Sequence, residues 1–274
     1  MNRALDSTTP LFVPGDRPER YRKAASSGTD AIIIDLEDAV APDAKSTARE
    51  AVSAAGPLLD SIAVFVRING VGTPWHADDI RALSTLPVSG IMLPKAECAA
   101  DIVSISAAVP GTPIIALIET AAGLAAARAI ACAQSTGRLA FGSIDFCADV
   151  GTQHTRDALL LARSEIVLAS RLGGLLAPLD GVTTSIEDAY LIKDDATYAN
   201  MLGFGGKLCI HPRQLVSARA GFLPSPEDVT WAEMVIAADN EGAVRVNGAM
   251  VDAPVRARAQ KILRRINKET RNMP

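Results

Sequence analysis

The chain has 274 residues, of which 49% are hydrophobic, and it carries a formal net charge of −4 at pH 7. This size suits one (β/α) barrel of about 250 residues or two smaller domains. The acidic balance and an aromatic content of 4% argue against a nucleic-acid-binding surface. The first ten residues lack the apolar core of a signal peptide, and no apolar segment has the length of a membrane span. We therefore expect a cytoplasmic protein with no membrane partner.

Eight short apolar runs alternate with helical segments between residues 11 and 222. Each run has the composition of a parallel strand that is buried on both faces. The predicted strands are residues 11–15, 31–38, 63–70, 90–95, 113–119, 139–145, 175–182 and 206–212. Eight strand–helix repeats are the count of a TIM barrel, and no Gly-x-Gly-x-x-Gly motif follows the first strand. We predict an α/β fold with a (β/α)8 barrel over residues 1–223, and an open doubly wound sheet is the alternative.

A Pro-Ser-Pro sequence at 224–226 separates this region from a C-terminal extension, residues 224–274. The pattern then predicts a helix over 226–240, a glycine-containing segment over 242–251 and a basic amphipathic helix over 254–267. The extension does not continue the strand–helix alternation, so we predict an appendage and not a ninth barrel unit. The charges of its last helix are also those of an ordinary solvated face.

Two neighbouring predicted strands each end in a carboxylate. The fifth strand closes on Glu119 and the sixth on Asp145, and the helical run 121–133 between them has the position of a crossover. Parallel sheets and barrels bind ligands at the carboxyl ends of their strands. Two hard oxygen ligands there predict a divalent cation site of the Mg²⁺ type, completed by water and substrate. The alternative is that each acid caps the helix that follows it.

Charged residues also stand at the ends of the other predicted strands. They are Asp16 with Arg17, Glu37 with Asp38, Arg67 beside Asn69, Lys95, Asp180 and His211. Arg67 is the most specific of them, because a guanidinium within a strand needs a partner and a substrate carboxylate offers two acceptors in fork geometry. An internal salt bridge from Arg67 to Glu37 or Asp38 is the alternative.

Seven of these segments together resemble one family, the citrate lyase beta subunits, whose close relatives are malyl-CoA and citramalyl-CoA lyases. The segments are Leu-Phe-Val-Pro-Gly-Asp-Arg-Pro-Glu-Arg, Ile-Asp-Leu-Glu-Asp-Ala-Val, Val-Arg-Ile-Asn, Leu-Pro-Lys, Ile-Glu-Thr, Phe-Gly-Ser-Ile-Asp and Ile-His-Pro. They run in order from the first strand to the last barrel unit. Each is weak alone, and jointly they are specific for the family but not for a substrate.

The resemblance implies a role for each residue of the metal site. Glu119 and Asp145 would be the Mg²⁺ ligands, and Glu37 and Asp38 would hold metal-bound waters. Arg67 would hold the oxo-acid or polarise its carbonyl group.

The resemblance also implies that basic residues near the first helix contact the acyl-CoA. Arg17, Arg20 and Lys23 would face the CoA phosphates, and plain solvent exposure is the alternative. Lys95 and His211 are further candidates for contact with the substrate or CoA, although a histidine beside a proline is more often structural.

The segment Gly-Ala-Met-Val-Asp-Ala-Pro at 248–254 resembles the lid of the CoA lyases. By resemblance, Asp252 would reach the active site of a neighbouring subunit in a homotrimer and act as a catalytic acid or base. The alternative is that Asp252 only caps the helix that begins near Pro254.

The function that these features imply is Mg²⁺-dependent cleavage or formation of a carbon–carbon bond in a 3-hydroxyacyl thioester, with an acetyl thioester and an oxo-acid as products. The thioester carrier would be CoA or an acyl-carrier protein. Three alternatives stay open: a metal-dependent pyruvate-type aldolase without CoA, a malyl-CoA thioesterase, and a non-catalytic binding subunit.

Overall fold

The structure is a computed structural model that describes residues 3–55, 62–238, 245–246 and 249–272. Contacts divide the chain into two compact units, Met1–Phe222 and Leu223–Pro274. Among the helices of the described residues, none combines the length and the apolar character that a membrane crossing requires.

The first unit contains a single eight-stranded sheet in which every neighbouring pair is parallel and the spatial order follows the chain. The strands are β1 Leu11–Pro14, β2 Ala31–Asp35, β3 Ala63–Arg67, β4 Gly90–Leu93, β5 Ile114–Ile118, β6 Thr136–Phe141, β7 Leu179–Asp180 and β8 Gly206–Lys207. The chain after β8 returns to β1, because the N–H of Phe12 donates to the carbonyl of Cys209 and the N–H of Cys209 donates to Pro10. These bonds close the sheet, and the predicted eight-stranded parallel sheet is confirmed.

Helices connect the strands and cover the outside of the sheet. They are α1 Tyr21–Ala25, α2 Lys45–Ala54, α3 His76–Leu83, α4 Ala99–Ala108, α5 Ala121–Cys132, α6 Ser143–Val150, α7 Arg156–Leu172, α8 Ala189–Leu202 and α9 Leu215–Phe222. Side-chain caps fix the start of three of them. Thr120, Thr155 and Asp188 each accept an N–H from the first turn of α5, α7 and α8.

The two-residue period of the strands separates two apolar layers. Inside the barrel lie side chains such as Ile33, Phe65 and Leu117, while Ile32 and Ile34 pack outward against the helices. Because alternate residues face inward, the positions two residues after Ile33, Phe65 and Leu117 face inward as well. These positions are Asp35, Arg67 and Glu119, at the carboxyl end of the barrel.

All eight strands end before the predicted residue, and the difference matters most for the last three. β6 stops at Phe141, so Asp145 does not close a strand but lies in the first turn of α6, a helix that the sequence pattern did not indicate. Gly142 leaves room for the Glu119 side chain, which fills the space where a Cβ would be. The last two strands have only two residues each.

The second unit has a small core of its own. Helix α10, Pro226–Ala237, packs against α11, Ala253–Asn272, through residues such as Ala232, Val235, Val251 and Ala259. A two-residue antiparallel pair, β9 Arg245–Val246 with β10 Ala249–Met250, precedes α11. The predicted end of the first helix at residue 240 and much of the segment 242–251 lie outside the described residues.

Candidate active site

Arg67 is the best-connected side chain at the carboxyl end of the barrel. It lies opposite Asp35 in the β2–β3 register. Its Nε donates to Asp35 Oδ1 at 2.7 Å and its Nη2 donates to Asp35 Oδ2 at 2.6 Å. Its Nη1 lies 2.9 Å from Glu37 Oε2 and 3.6 Å from Asp38 Oδ2. The predicted internal salt bridge is therefore present, with Asp35 as an additional and stronger partner.

Burial lowers the pKa of Arg67, but the charge and hydrogen bonds of Asp35 outweigh this effect, and the net pKa is raised. A guanidinium has five N–H donors. Asp35 accepts from two of them, at Nε and Nη2, and Glu37 Oε2 forms an ion pair with Nη1 without a hydrogen bond, so N–H groups remain on Nη1 and Nη2. Arg67 is thus a fixed cation with remaining hydrogen-bond capacity.

Lys95 joins two carboxylates through two different groups. Its backbone N–H donates to Glu119 Oε1 at 2.8 Å, and its Nζ donates to Glu37 Oε1 at 2.7 Å. Its φ of 46° is in the left-handed region that non-glycine residues seldom occupy. Strained backbone of this kind persists where the surroundings hold it and is often found at functional sites.

Glu119 is almost fully buried, with 1% of its surface exposed. Burial and the nearby charge of Glu37 raise the pKa of Glu119 to about 8, although the Lys95 N–H and Arg67 act in the opposite direction. Glu119 does not cap the following helix, because Thr120 does. A buried carboxylate with a raised pKa is one that a bound cation would stabilise in its charged form.

Asp145 enters the same cavity from the first turn of α6 and contributes to the raised pKa of Glu119. This helix has no side-chain cap, and its first N–H groups have no partner within the helix. The first turn of the helix lines the cavity. The residues that line this central cavity of about 450 Å³ include Phe12, Pro14, Asp35, Asp38, Arg67, Leu117, Glu119, Phe141, Gly142, Ser143, Ile144, Asp145, Val182, Leu208 and Ile210.

The donor set suits a hard divalent cation. Glu119 and Asp145 offer carboxylate oxygens to the cavity. The described part of the chain contains no cluster of three or more His, Cys, Asp or Glu side chains that could hold a metal ion. A cation bound here would complete its shell with water and substrate, which is the habit of Mg²⁺.

A second cavity of about 600 Å³ adjoins the first at Asp38. Its lining includes Glu37, Asn69, Trp75, Lys95 and Asp101. Glu37 is buried on this side, and burial raises its pKa against the opposing effects of Arg67 and Lys95. The position of Glu37 between Arg67 and Lys95 agrees with a supporting role behind the cation site.

The predicted CoA contacts lie apart from this cluster. Arg17 and Arg20 are exposed and lie 3.9 Å from Asp16 and Glu19, and Lys23 is exposed on α1. These three roles stay predictions.

The last two predicted site residues, His211 and Asp252, each accept a capping hydrogen bond. His211 Nδ1 accepts the N–H of Arg213 at 3.2 Å at the start of a 3₁₀ turn. In the second unit, Asp252 Oδ1 accepts the N–H of Val255 at 3.0 Å. The capping alternative for Asp252 is therefore present in the structure, and the roles of both residues in substrate binding or catalysis stay predictions.

Sequence analysis missed Asp35 as a member of the site. The signal was available, because Asp35 closes the apolar run 31–34 as Arg67 closes that of β3. The predicted site residues Glu37 and Asp38 follow the strand instead of closing it. Only the register shows that Asp35 lies directly beside Arg67.

Comparison with known proteins gives one consistent family. Residues 8–212 match the model of the HpcH/HpaI aldolase/citrate lyase family. A citrate lyase subunit beta-like protein of Mycobacterium tuberculosis is 39% identical over 269 residues, 95% of this chain and 96% of that protein. A (3S)-malyl-CoA thioesterase of Cereibacter sphaeroides is 34% identical over 250 residues, 89% of this chain and 87% of that protein.

Solved structures agree with this result. CitE of M. tuberculosis in complex with magnesium, acetoacetate and coenzyme A superposes with a TM-score of 0.84 at 37% identity and covers 95% of this chain and 98% of that chain. The citrate lyase beta subunit of M. tuberculosis with oxaloacetate and magnesium has a TM-score of 0.74 at 37% identity, with 82% and 100% covered. The family model and these relatives show that the chain belongs to the HpcH/HpaI aldolase/citrate lyase family.

Proposed function

We propose that this protein is a Mg²⁺-dependent carbon–carbon lyase for a 3-hydroxyacyl thioester such as citramalyl-CoA, malyl-CoA or a citryl thioester. The products are an acetyl thioester and a 2-oxo acid, and the reverse reaction condenses them. The observation that carries the proposal is that Glu119, Asp145 and Arg67 border one cavity at the carboxyl end of the barrel. The magnesium, CoA and oxo-acid complexes of the structural relatives support it.

Glu119 and Asp145 are the residues that would hold Mg²⁺. Mg²⁺ would lower the pKa of the substrate hydroxyl group and orient the bond that breaks. Arg67 would donate N–H groups that Asp35 does not use to the oxo-acid portion. Glu37, held by Arg67 and Lys95, would keep the cation site in place from behind.

In the cleavage direction, a base takes the proton of the hydroxyl group and the carbon–carbon bond breaks. The bonding electrons leave with the acetyl thioester as its enolate, which must gain a proton at carbon. Asp252 of a neighbouring subunit in a homotrimer would supply this proton. Arg17, Arg20 and Lys23 would contact the phosphates of CoA, and Lys95 and His211 are further candidates for contact with the substrate or CoA. An acyl-carrier protein is the alternative carrier.

Thioester hydrolysis is a second candidate, because relatives named (3S)-malyl-CoA thioesterase are 34% identical to this chain. The same cation would activate a water molecule and not the substrate hydroxyl group. The two reactions differ in their products, since hydrolysis of malyl-CoA gives malate and free CoA, whereas cleavage gives glyoxylate and acetyl-CoA.

The test is incubation of the protein with citramalyl-CoA and malyl-CoA, with Mg²⁺ or with EDTA, and chromatographic separation of acetyl-CoA from free CoA. We expect acetyl-CoA only when Mg²⁺ is present. Free CoA without acetyl-CoA would establish the thioesterase instead. If neither product forms, the citryl thioester of the acyl-carrier protein is assayed next, and absence of acetyl thioester release there as well would refute a lyase.

A further inference from the structure

Ser143 and His154 form a hydrogen-bonded pair at the wall of the central cavity. We propose that this pair takes up the proton of the substrate hydroxyl group, with Ser143 in contact with that group and His154 as the proton acceptor behind it. This inference rests on the proposed lyase function and deepens it, because it names the base that the cleavage step requires.

Ser143 stands where β6 gives way to α6. It is the first residue of the helix, and it borders the cavity together with Asp145 of the same helical turn. It directly follows Gly142, whose missing Cβ leaves room for Glu119. Gly181 makes room for the Ser143 hydroxyl group in the same way, since a Cβ on Gly181 would overlap Oγ. The buried serine therefore lies beside both predicted cation ligands, where the substrate hydroxyl group would bind.

His154 connects this serine to the surface. Its Nε2 lies 2.9 Å from Oγ of Ser143. The residue belongs to the segment between α6 and α7 and is exposed. An imidazole that contacts a buried hydroxyl group on one side and water on the other can carry a proton between them.

A buried charge cluster lies behind the imidazole. Arg163 donates to one oxygen of Asp180 at 2.8 Å, and Lys207 donates to the other at 3.1 Å, so two cations share one carboxylate. Burial and the charges of Arg163 and Lys207 lower the pKa of His154. Asp180 and Asp195 act in the opposite direction without reversing the effect. The ring is therefore neutral at pH 7, and a neutral imidazole has one nitrogen that accepts a proton.

The acids that border the cavity are less suited to this step. Asp35 binds Arg67 through both of its oxygens, and Asp38 lies 3.6 Å from the same guanidinium. Glu119 and Asp145 are the predicted cation ligands. His154 is instead neutral and bound to a hydroxyl group, which leaves it able to accept a proton.

The proton transfer balances. As the substrate hydroxyl group gives its proton to Oγ of Ser143, Ser143 gives its own proton to Nε2 of His154. The electron pair of the substrate O–H bond forms the carbonyl group of the oxo-acid, while the pair of the breaking carbon–carbon bond leaves with the acetyl thioester. The imidazolium then loses a proton to water.

The hydrogen bond can be tested without turnover. NMR of the imidazole nitrogens of the full-length protein in EDTA reports the tautomer and the pKa of His154, and His154→Gln assigns its signals among the 3 histidines. We expect a neutral ring at pH 7 with its proton on Nδ1. The pKa should rise in Ser143→Ala, because the donor that favours the neutral ring is lost. A proton on Nε2, or a pKa that Ser143→Ala does not change, would overturn the proposal.

Turnover gives the second test. His154→Gln keeps an acceptor for the Ser143 hydroxyl group but cannot take up its proton, so kcat for acetyl thioester release should fall about 100-fold. Ser143→Ala should have a similar effect, and the double variant should be no more than about threefold slower than either single variant. Calorimetric titration should show Mg²⁺ affinity within about twofold of wild type in His154→Gln. Full turnover in His154→Gln would contradict the proposal.

The pH profile separates a proton acceptor from a purely structural histidine. At saturating Mg²⁺, kcat of wild type should decline below about pH 6.5 as His154 becomes protonated, and His154→Gln should lack this decline. His76→Gln is the matched control, because His76 is also partly buried and hydrogen-bonded, through Nδ1 to the carbonyl of Asn69. It should retain the decline. The same decline in His154→Gln would count against the pair.

The outcomes distinguish this inference from the function on which it rests. Mg²⁺-dependent acetyl thioester release at wild-type rates in both single variants would refute the role of the Ser143–His154 pair and leave the lyase intact. Absence of release from wild type would refute the lyase, and this role with it, whatever the NMR measurement shows.

Discussion

The backbone N–H of Lys95 donates a 2.8 Å hydrogen bond to Oε1 of Glu119 from a left-handed conformation with φ of 46°. The same residue uses its ammonium group to bind Glu37. Lys95, between β4 and α4, thus contacts both Glu119, a predicted cation ligand, and Glu37. The backbone strain at Lys95 is the local cost of this double contact.

Replacement of the Lys95 side chain should affect turnover more than stability. The pair with Glu37 involves a half-exposed lysine, so Lys95→Met should cost no more than about 1 kcal/mol of unfolding free energy. We expect kcat to fall about tenfold because Glu37 loses a positioning contact, with KM for the thioester changed less than about threefold. A raised KM with unchanged kcat would instead identify Lys95 as a thioester contact, as its sequence position first indicated. Lys95→Arg serves as the charge-retaining control.

A methyl group at Gly142 should disrupt the site. The φ of Gly142 is −89°, so alanine is allowed by the backbone, but its Cβ would overlap the side chain of buried Glu119. We expect Gly142→Ala to lower stability by about 1–3 kcal/mol and to weaken Mg²⁺ binding about tenfold or more. The matched control is Gly70→Ala, where a Cβ would meet no atom within 4 Å. Calorimetric Mg²⁺ titration and urea unfolding measure both effects, and equal behaviour of the two variants would refute the steric argument.

The raised pKa of Glu119 predicts a pH-dependent stability in the metal-free protein. The pKa is about 8 in the folded protein and near the ordinary value of 4.5 in the unfolded chain. The folded state therefore holds the proton more tightly, and this stability is fully present below pH 4.5 and is lost as the pH rises through 8.

The measurement is urea unfolding in EDTA between pH 5 and pH 8.5 for wild type and Glu119→Gln. Because glutamine stays neutral, the variant should lack this component, which amounts to a few kcal/mol, on the order of 3, at the alkaline end. Mg²⁺ should restore the stability of wild type above pH 8 but have little effect on the variant. Parallel pH profiles for both proteins would show that Glu119 is not the group responsible.

Two substitutions at Asp252 separate a cap from a catalytic acid. Asp252→Ala removes the side-chain acceptor for the N–H of Val255 and should destabilise the second unit by about 1 kcal/mol. Asp252→Ser keeps a capping oxygen but not a carboxyl group. If Asp252 supplies the enolate proton, both variants should lose at least about 100-fold in kcat while CoA binding is retained. Full turnover in Asp252→Ser would leave capping as its role.

The sequence by itself indicated the order of the eight strands and the family. The apolar runs that become β1 to β6 are short, are rich in β-forming residues and alternate with helical segments, and the strand-end rule selected Arg67 and Glu119 directly. The rule worked because the two-residue period of a strand is local, so a polar residue that closes a buried run must lie at the end of the sheet. The prediction that Asp145 closes a strand was wrong and shows the limit of the rule. β6 ends at Phe141, and Asp145 lies in the first turn of the helix that follows.

Only the tertiary structure decided which charged groups are partners. Asp35 and Arg67 are 32 residues apart and become neighbours through the register of β2 and β3. Lys95 reaches both Glu37 and Glu119 because four consecutive strands, β2 to β5, bring their carboxyl ends to one side of the barrel. The lining of the central cavity likewise combines residues from both ends of the first unit, such as Phe12 and Ile210. These pairings depend on how the sheet closes, and closure is a property of all eight strands that no local pattern contains.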